Sequence, residues 1–440
     1  MGPETLAINP PRLLPPVNRP SIIMLTAIAL GLLMSPSTTS APAGKVEVAG
    51  EPGAWKLLHS GKPYVIRGVG GTTRMEDLVA SGGNSMRTWG ADKAGEELDA
   101  CQKHSLTLTI GVWLGHKSYF DYNDDAKVKQ QLESSKAVFQ KHKDHPALLM
   151  WGIGNEMEAE GNDVPAVWIA VEQIAKAAKQ IDPNHPTMTV VAEISQQKID
   201  HIKKYAPSID VLGVNSYGGL PTLPKRLKEF GWDKPFVVTE YGPLGPWERP
   251  KTPWGAALEQ TSTEKAAYYE KNYQDSIAGQ SGWCLGSYAF LWGDKQEETP
   301  TWFGMFLPSG ERTAAIDVLT KAWTGHWPKN RAPSLSELSL DIAQKNVPKG
   351  SQATAIVKAT DPDGDPLTYL WELRREAENK AFAGQGEQRP GVIKGVLDNS
   401  HGTKVEFKVP DQPGAYRVYI TVKDGKGNAA TANLPFHVQG

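Results

Sequence analysis

The sequence predicts an α/β fold, in which a (β/α)8 TIM barrel is followed by a small all-β sandwich. Short apolar segments alternate with amphipathic segments over most of the chain, which is the pattern of parallel strands joined by helices. Polar and charged side chains directly follow several apolar segments, at the ends where an α/β barrel keeps its chemistry. The C-terminal part changes to short strands separated by turn residues, which is typical of a β-sandwich.

Composition limits the classes of function. The chain has 440 residues, enough for two domains, and a formal net charge of −2. This net charge does not indicate a positively charged binding surface, so we expect no nucleic-acid partner. The 14 tryptophans are core residues by default, although indole faces also line sugar-binding clefts. Cys101 and Cys284 match no metal motif, and we expect two buried free thiols, with a disulfide as the alternative in an exported protein.

The N-terminus has the pattern of a secretory signal. Residues 1–20 are rich in proline and contain two arginines, and residues 21–34 are largely apolar but short for a membrane span. Ala41–Ala43 then provides a cleavage site of the A-x-A kind. We predict that residues 1–43 are a signal peptide and that the product is secreted or periplasmic, with no membrane association after cleavage. An uncleaved N-terminal anchor is the alternative.

Residues 44–328 are predicted to form the barrel. A hairpin over Trp55–Tyr64, turning at Ser60–Gly61, precedes it. Helical periodicity is clear over Lys127–His142. An open doubly wound sheet is the main alternative, but no glycine-rich nucleotide motif follows the first strand. The eight predicted strands are Tyr64–Val69, Ser85–Trp89, Leu108–Trp113, Leu148–Ile153, Met188–Val191, Val211–Asn215, Phe236–Thr239 and Gly286–Phe290.

Two of these strands are followed by glutamate. The fourth leads into Asn155–Glu156 and the seventh into Glu240. The C-terminal ends of barrel strands surround one pocket, so we expect the two carboxylates to share it. Paired carboxylates are the groups used in glycoside hydrolysis. One glutamate alone would be better explained as an ion-pair partner, whereas both together favour catalysis.

These motifs resemble the clan of retaining (β/α)8 glycoside hydrolases. Asn155–Glu156 and Thr239–Gly242 carry the resemblance, which extends over about Val46–Trp327. Within the clan the chain is most similar to the catalytic barrel of glycoside hydrolase family 2, with family 5 next. Family 5 favours His-x-Tyr after the sixth strand, where this chain has Asn215–Tyr217.

The resemblance implies roles for the residues at the strand ends. Glu156 would be the general acid/base, with a pKa raised by burial and a nearby carboxylate. Glu240 would be the nucleophile that forms a covalent glycosyl-enzyme. Arg87 would keep Glu240 ionised, Tyr217 would orient it, and Asn155 would bind the sugar 2-hydroxyl.

Three further side chains are candidates for substrate binding. Trp292 would form the floor of the subsite for the cleaved sugar, or else be ordinary core packing. His116 and Trp89 would be wall residues. The chemistry needs no metal, the histidines do not have ligand spacing, and we predict neither a metal nor another cofactor.

Residues 329–335 are predicted to be a linker and residues 336–440 a β-sandwich. Asp361–Trp371 and Pro413–Gly427 resemble polycystic-kidney-disease-type (PKD) and related immunoglobulin-like modules. The acidic residues of Asp361–Asp365 suggest calcium, but the glycine is misplaced for a helix-loop-helix calcium site, and a turn held by Asp side chains is preferred. Glycan binding, spacing and packing on the barrel all remain open as roles of this module.

The sequence therefore predicts a secreted retaining β-glycoside hydrolase that cleaves O-glycosidic bonds of a β-linked oligo- or polysaccharide by double displacement. One alternative is a β-glucan transglycosylase that uses the same two glutamates. Another is a non-catalytic carbohydrate-binding protein, against which the intact catalytic residues argue. The sugar, its linkage, endo or exo action and the oligomeric state are left open.

Overall fold

The computed structural model describes residues 44–378, 386–397 and 400–440. All of these belong to one compact unit. The predicted signal peptide, residues 1–43, lies outside the described residues. Within the described ranges, every helix is too short or too polar to cross a membrane.

A three-stranded antiparallel sheet precedes the barrel, formed by β1 (Val46–Ala49), β2 (Lys56–His59) and β3 (Lys62–Tyr64). β2 and β3 are the predicted hairpin, and Ser60 and Gly61 at its turn both have positive φ. Apolar side chains of β1 and β2 pack with residues near the starts of barrel strands. The sheet therefore covers the end of the barrel opposite the predicted site.

Eight parallel strands within residues 66–289 close into the predicted barrel. They are almost completely buried, which explains their apolar sequences. The last strand pairs with the first along Gly286–Ala289 and Ile66–Val69, and this pairing closes the ring. The strands are β4 (Ile66–Gly70), β5 (Ser85–Arg87), β6 (Thr107–Val112), β7 (Leu148–Asn155), β8 (Thr187–Ala192), β9 (Val211–Asn215), β10 (Phe236–Tyr241) and β11 (Cys284–Ala289).

Helices connect the strands, and their apolar faces belong to the same core as the barrel strands. The Asp124 side chain accepts the backbone N–H groups of Ala126 and Lys127, and so fixes the start of the third helix. Cys101 and Cys284 are both buried and free, as predicted. The helices are α1 (Met75–Ala80), α2 (Ala94–Lys103), α3 (Asp125–His142), α4 (Pro165–Ile181), α5 (Gln196–Tyr205), α6 (Leu223–Glu229), α7 (Ser262–Asn272) and α8 (Ala314–Thr324), with short 3₁₀ or π turns at Leu220–Thr222, Tyr273–Ile277 and Ala278–Gln280.

The C-terminal part forms two sheets that share one apolar core, as predicted for a sandwich. The first strand begins at Ser334, two residues before the predicted start of this domain. In the acidic turn, the side chain of Asp361 accepts the backbone N–H groups of Asp363 and Asp365 at 2.9 and 3.0 Å. These bonds form the turn held by an Asp side chain that the sequence predicts. The strands are β12 (Ser334–Leu340), β13 (Asn346–Val347), β14 (Gln352–Thr360), β15 (Thr368–Arg375), β16 (Lys404–Lys408), β17 (Gly414–Lys423) and β18 (Ala429–Val438).

The sandwich packs against the barrel through a buried polar network. Glu259, in the loop after β10, pairs with Lys265 at 2.5 Å and accepts the amide of Asn433 from β18 at 2.5 Å. Arg417 of β17 is fully buried and donates to the Ala257 carbonyl of the barrel at 2.9 Å. Among the roles left open for this module, these contacts support packing on the barrel.

Candidate active site

A cavity of about 660 Å³ opens at the C-terminal ends of the barrel strands. Both predicted catalytic glutamates line it, and so do Asn155, Tyr217 and Trp89. Loops after several strands form the rest of the wall, and Glu387 of the sandwich contributes one edge. These additional lining residues are Trp113, Ala159, Ala192, Glu193, Asn215, Pro246, Trp247, Glu248, Phe290, Leu291, Lys295, Glu297, Glu298 and Glu387.

Glu240 lies near the end of β10 and is 6% exposed. Arg87 donates to its Oε1 at 3.1 Å, and the indole N–H of Trp89 donates to the same oxygen at 2.7 Å. The Tyr217 hydroxyl donates to Oε2 at 3.0 Å. Three donors therefore face this carboxylate, an arrangement that suits its charged form and fixes its orientation. Trp89 thus contacts the predicted nucleophile directly, in addition to lining the wall.

Glu156 directly follows β7 and has different surroundings. Its Oε1 accepts the side-chain amide of Asn215 at 2.7 Å. Burial and the charge of Glu240 raise the pKa of Glu156 to about 7, although the bond from Asn215 opposes this shift. Its φ of 54° lies in the left-handed region, which is uncommon for glutamate and is often found at functional sites. A carboxyl group of this kind can hold a proton near neutral pH and also release it.

Asn155 connects the surroundings of the two glutamates. Its side-chain oxygen accepts from Arg87 at 2.7 Å and from Asn215 at 3.1 Å. Since the arginine can only donate, this contact fixes which end of the Asn155 amide faces it. The amide nitrogen is then the group that remains for a ligand. Sequence analysis missed Asn215, although its position at the end of β9 was the available signal.

Tyr217 is held by aromatic neighbours as well as by Glu240. Its ring meets those of Trp247 and Phe303, with centroid distances of 5.5 Å in both cases. Burial, followed by the charges of Glu240 and Glu156, raises the pKa of Tyr217 well above its ordinary value. The hydroxyl therefore keeps its proton and remains a donor to Glu240.

Three predicted binding residues do not line the cavity. Arg87 is 2% exposed and lies behind Glu240 and Asn155, to which it donates. The other two are Trp292 and His116.

Trp292 is 1% exposed, donates its indole N–H to the Arg74 carbonyl at 3.2 Å and packs edge-on against Phe306. These contacts turn the indole into the core, and Phe290 and Leu291 line the cavity in its place. The prediction that Trp292 forms a subsite floor is therefore wrong.

His116 is buried behind the cavity wall. Its ring stacks on Trp113 with a centroid distance of 4.8 Å, and Trp113 is the residue that lines the cavity. Burial lowers the pKa of His116, so the ring is neutral at neutral pH. His116 therefore supports the wall residue Trp113. The prediction that His116 forms the wall itself is wrong.

Comparisons with known proteins agree with this architecture. Residues 95–245 match the family described as "Glycosyl hydrolases family 2, TIM barrel domain". The beta-glucuronidase of Chlorocebus aethiops is 26% identical over 177 residues, which cover 37% of this chain and 26% of that protein. The beta-glucuronidase of Rattus norvegicus is 26% identical over 224 residues, which cover 42% and 32%. This chain therefore spans about a quarter to a third of the length of these curated relatives.

Solved structures show the same fold. A beta-glucuronidase from an uncultured Clostridium sp. superposes with a TM-score of 0.52 and 18% identity, over 64% of this chain and 54% of that one. A beta-D-glucuronidase of Dictyoglomus thermophilum gives a TM-score of 0.51 and 17% identity, again over 64% and 54%. The segment that matches the family contains Asn155, Glu156, Tyr217 and Glu240.

Proposed function

We propose that the protein is a retaining β-glycoside hydrolase acting on the O-glycosidic bonds of a β-linked glycan, and the match of residues 95–245 to the TIM barrel domain of glycoside hydrolase family 2 supports this proposal. One observation carries the proposal: Glu156 and Glu240 line the same cavity in contrasting surroundings. Glu240 faces three donors, whereas the pKa of Glu156 is raised to about 7. Double displacement needs this division between a charged nucleophile and a protonated acid.

In the first step, Glu240 attacks the anomeric carbon and the bond from that carbon to the leaving oxygen breaks. Glu156 gives its proton to the leaving oxygen, so that the departing sugar leaves as an alcohol. The product on the protein is a glycosyl ester of Glu240. Arg87, Trp89 and Tyr217 hold the attacking carboxylate in one orientation, which lowers the entropic cost of reaching the reactive geometry.

In the second step, Glu156 is a carboxylate and accepts a proton from water. The water oxygen bonds to the anomeric carbon, and the ester bond to Glu240 breaks. The amide nitrogen of Asn155 would donate to a sugar hydroxyl throughout. With a sugar hydroxyl in place of water, the same step gives the transglycosylation that was considered as an alternative.

The charge of the cavity indicates whether the bound sugar is neutral or acidic. The relatives named above are glucuronidases, and a uronic acid carries a carboxylate. Lys295 is the one basic residue among the described lining residues, and it pairs with Glu297 at 2.5 Å. Seven glutamates line the same cavity. This balance favours a neutral sugar over a uronic acid for this chain.

Export is proposed from residues 1–43 alone. N-terminal sequencing of the protein recovered from the producing cells tests it. A mature chain that begins close to Gly44 supports secretion, whereas an intact Met1 contradicts signal cleavage.

Activity on a substrate panel tests the catalytic proposal. The panel contains β-linked glucans, mannans and galactans, aryl glycosides and an aryl glucuronide. Glu156→Gln and Glu240→Gln should both lose hydrolysis. Glu193→Gln is the matched control, because Glu193 also lines the cavity but pairs with Arg226 at 2.6 Å.

The stereochemistry of the first product tests retention. Nuclear magnetic resonance during early turnover should show the β-anomer, and an α-anomer would contradict double displacement.

Products longer than the substrate would show transfer to a sugar in place of water. Binding of glycans by the wild type without cleavage would instead support the carbohydrate-binding alternative.

A further inference from the structure

Two tryptophans at the cavity are unusually exposed. Trp113 is 43% exposed and Trp247 is 59% exposed, and both line the cavity. Exposed indole surface loses the hydrophobic stabilisation that burial provides, so a pair of such rings beside one cavity suggests a ligand. Neither residue is part of the catalytic machinery described above.

Trp113 is held rigidly with one face covered. His116 stacks on it with an interplanar angle of 15°, and the indole N–H donates to the Tyr119 hydroxyl at 2.8 Å. One face of the indole is therefore occupied by His116, which leaves the other face for a ligand. A flat, fixed ring face of this kind suits the apolar face of a pyranose.

Trp247 is also fixed before any ligand binds. It packs edge-on against Tyr217. Gly245 lies against the indole so closely that a Cβ there would come within 2.4 Å of the ring. Glu248 anchors the loop by accepting the backbone N–H groups of Gly218 and Gly245 at 2.9 and 2.8 Å.

The order of strands places the two rings on different sides of the barrel mouth. Trp113 directly follows β6, and Trp247 is in the loop after β10. These strands stand four places apart in the eight-strand ring, which is the largest separation possible. Glu156 follows β7 and Glu240 lies on β10, so both catalytic carboxylates belong to the space that the two loops enclose.

We propose that Trp113 and Trp247 are platforms for separate sugar units on either side of the cleaved bond. The substrate is then a β-linked chain of several neutral sugars, cleaved at internal bonds, and not a single terminal sugar. This inference rests on the proposed hydrolase function and adds the length of the substrate to it.

The test measures kcat/KM on aryl β-glycosides of one to five sugar units, in the series that the wild type cleaves. For the wild type, kcat/KM should rise with length, and the polymer should yield oligosaccharides of mixed length. Trp113→Ala and Trp247→Ala should each lower kcat/KM about tenfold on the long substrates, as expected for one lost stacking contact. On the single-sugar substrate Trp113→Ala should remain within about twofold of the wild type. For the second platform the comparison uses Trp247→Phe, because this variant keeps a ring against Tyr217 and should also remain within about twofold.

Trp327→Ala is the matched control, since Trp327 is 38% exposed but stacks with Lys321 and Arg331 away from the cavity lining. It should behave as the wild type at every length. Trp113→Phe and Trp247→Phe keep a ring and should recover part of the loss. That recovery separates a binding role from a general disturbance of the fold.

Two results would overturn the inference. One is a wild-type kcat/KM that does not depend on length, and the other is an equal loss in Trp113→Ala on short and long substrates. Both leave hydrolysis intact and so leave the proposed function standing. Failure of the proposed function looks different, because the wild type would then cleave neither the aryl glycosides nor the polymers.

Discussion

Two buried ion pairs with similar chemistry serve different regions of this molecule. Arg87 and Glu240 pair at 3.1 Å beside the cavity, and Lys265 and Glu259 pair at 2.5 Å where the barrel meets the sandwich. Both carboxylates are almost inaccessible to solvent. Burial alone would raise the pKa of Glu259, but the charge and hydrogen bond of Lys265, together with the bond from Thr299 and the charge of Arg417, lower it.

The difference lies in what else each carboxylate contacts. Glu259 also accepts from Thr299, Thr301 and Asn433, so its oxygens are occupied by protein groups. Glu240 also has several donors, but it lines a cavity where a ligand atom can approach. A buried ion pair therefore indicates a reactive group only where it borders accessible space. The first pair should control activity, and the second should control stability.

The largest expected effect is that of Glu240→Gln on turnover. The amide keeps the shape of the side chain but cannot act as the nucleophile, so kcat should fall by at least about 10⁴-fold. Because Arg87 is left buried without its counter-charge, the thermal midpoint of unfolding should also fall, so kcat is measured at a temperature where circular dichroism shows the variant to be folded. A kcat within tenfold of the wild type would remove Glu240 from the mechanism and end the contrast between the two pairs.

Lys265→Met should have the next largest effect, on stability. It leaves the Glu259 charge buried without its cation, and the free energy of unfolding should fall by about 3–5 kcal/mol. Urea titration measures this loss. Lys358→Met is the control, because the pair of Lys358 with Glu337 is exposed to solvent, and its loss should leave the free energy of unfolding nearly unchanged. Equal losses in the two variants would contradict the structural role of the Lys265 pair.

Tyr217→Phe tests the orientation of Glu240 with a smaller expected change. The ring packing remains, but a hydrogen bond to a charged group is lost, and kcat should fall about 10- to 100-fold. Tyr64→Phe removes a hydroxyl that bonds to Asn84 and Thr107 outside the cavity. That control should affect stability and not kcat. An unchanged kcat in Tyr217→Phe would assign the orientation of Glu240 to Arg87 and Trp89.

The smallest change is a shift in pH dependence. Because Glu156 must be protonated to act as the acid, and its pKa is raised to about 7, kcat/KM should fall as the pH rises through about 7. The bond from Asn215 favours the charged form of Glu156. Asn215→Ala should therefore move this fall to higher pH, and a profile that stays in place would show that Asn215 does not tune Glu156.

The same raised pKa has a consequence for stability. Between the ordinary carboxyl pKa and about 7, the folded state binds the Glu156 proton more tightly than the unfolded state does. Stability should therefore decrease as the pH rises through this window. Glu156→Gln removes this contribution, which urea titrations at several pH values can measure.

The barrel and its two glutamates could be predicted from sequence because their signals are local. Each strand is a short apolar run, and Asn155–Glu156 and Glu240 stand at or directly after strand ends. The positions of Trp292 and His116 could not be predicted in the same way. Both lie in loops beyond strand ends, where the direction of a side chain depends on tertiary contacts and no longer on strand alternation.

The contact between the barrel and the sandwich was even harder to predict from the sequence. Glu259 and Asn433 are 174 residues apart, and no periodic pattern connects them. Glu387 of the sandwich lines the cavity, and no periodic pattern in the sequence connects it with the barrel either. The sandwich could be recognised from its strands and turns, but its contribution to the cavity wall could not.

The hydrogen bond between Glu259 and Asn433 also limits the order in which the protein can pack during its synthesis on the ribosome. A chain is synthesised from its N-terminus, so the Glu259–Lys265 pair emerges long before β18 can cover it. Until β18 arrives, Glu259 can bond to Lys265, Thr299 and Thr301 of the barrel but lacks its bond from Asn433. The packing of the barrel against the sandwich is therefore completed only after β18 has been made.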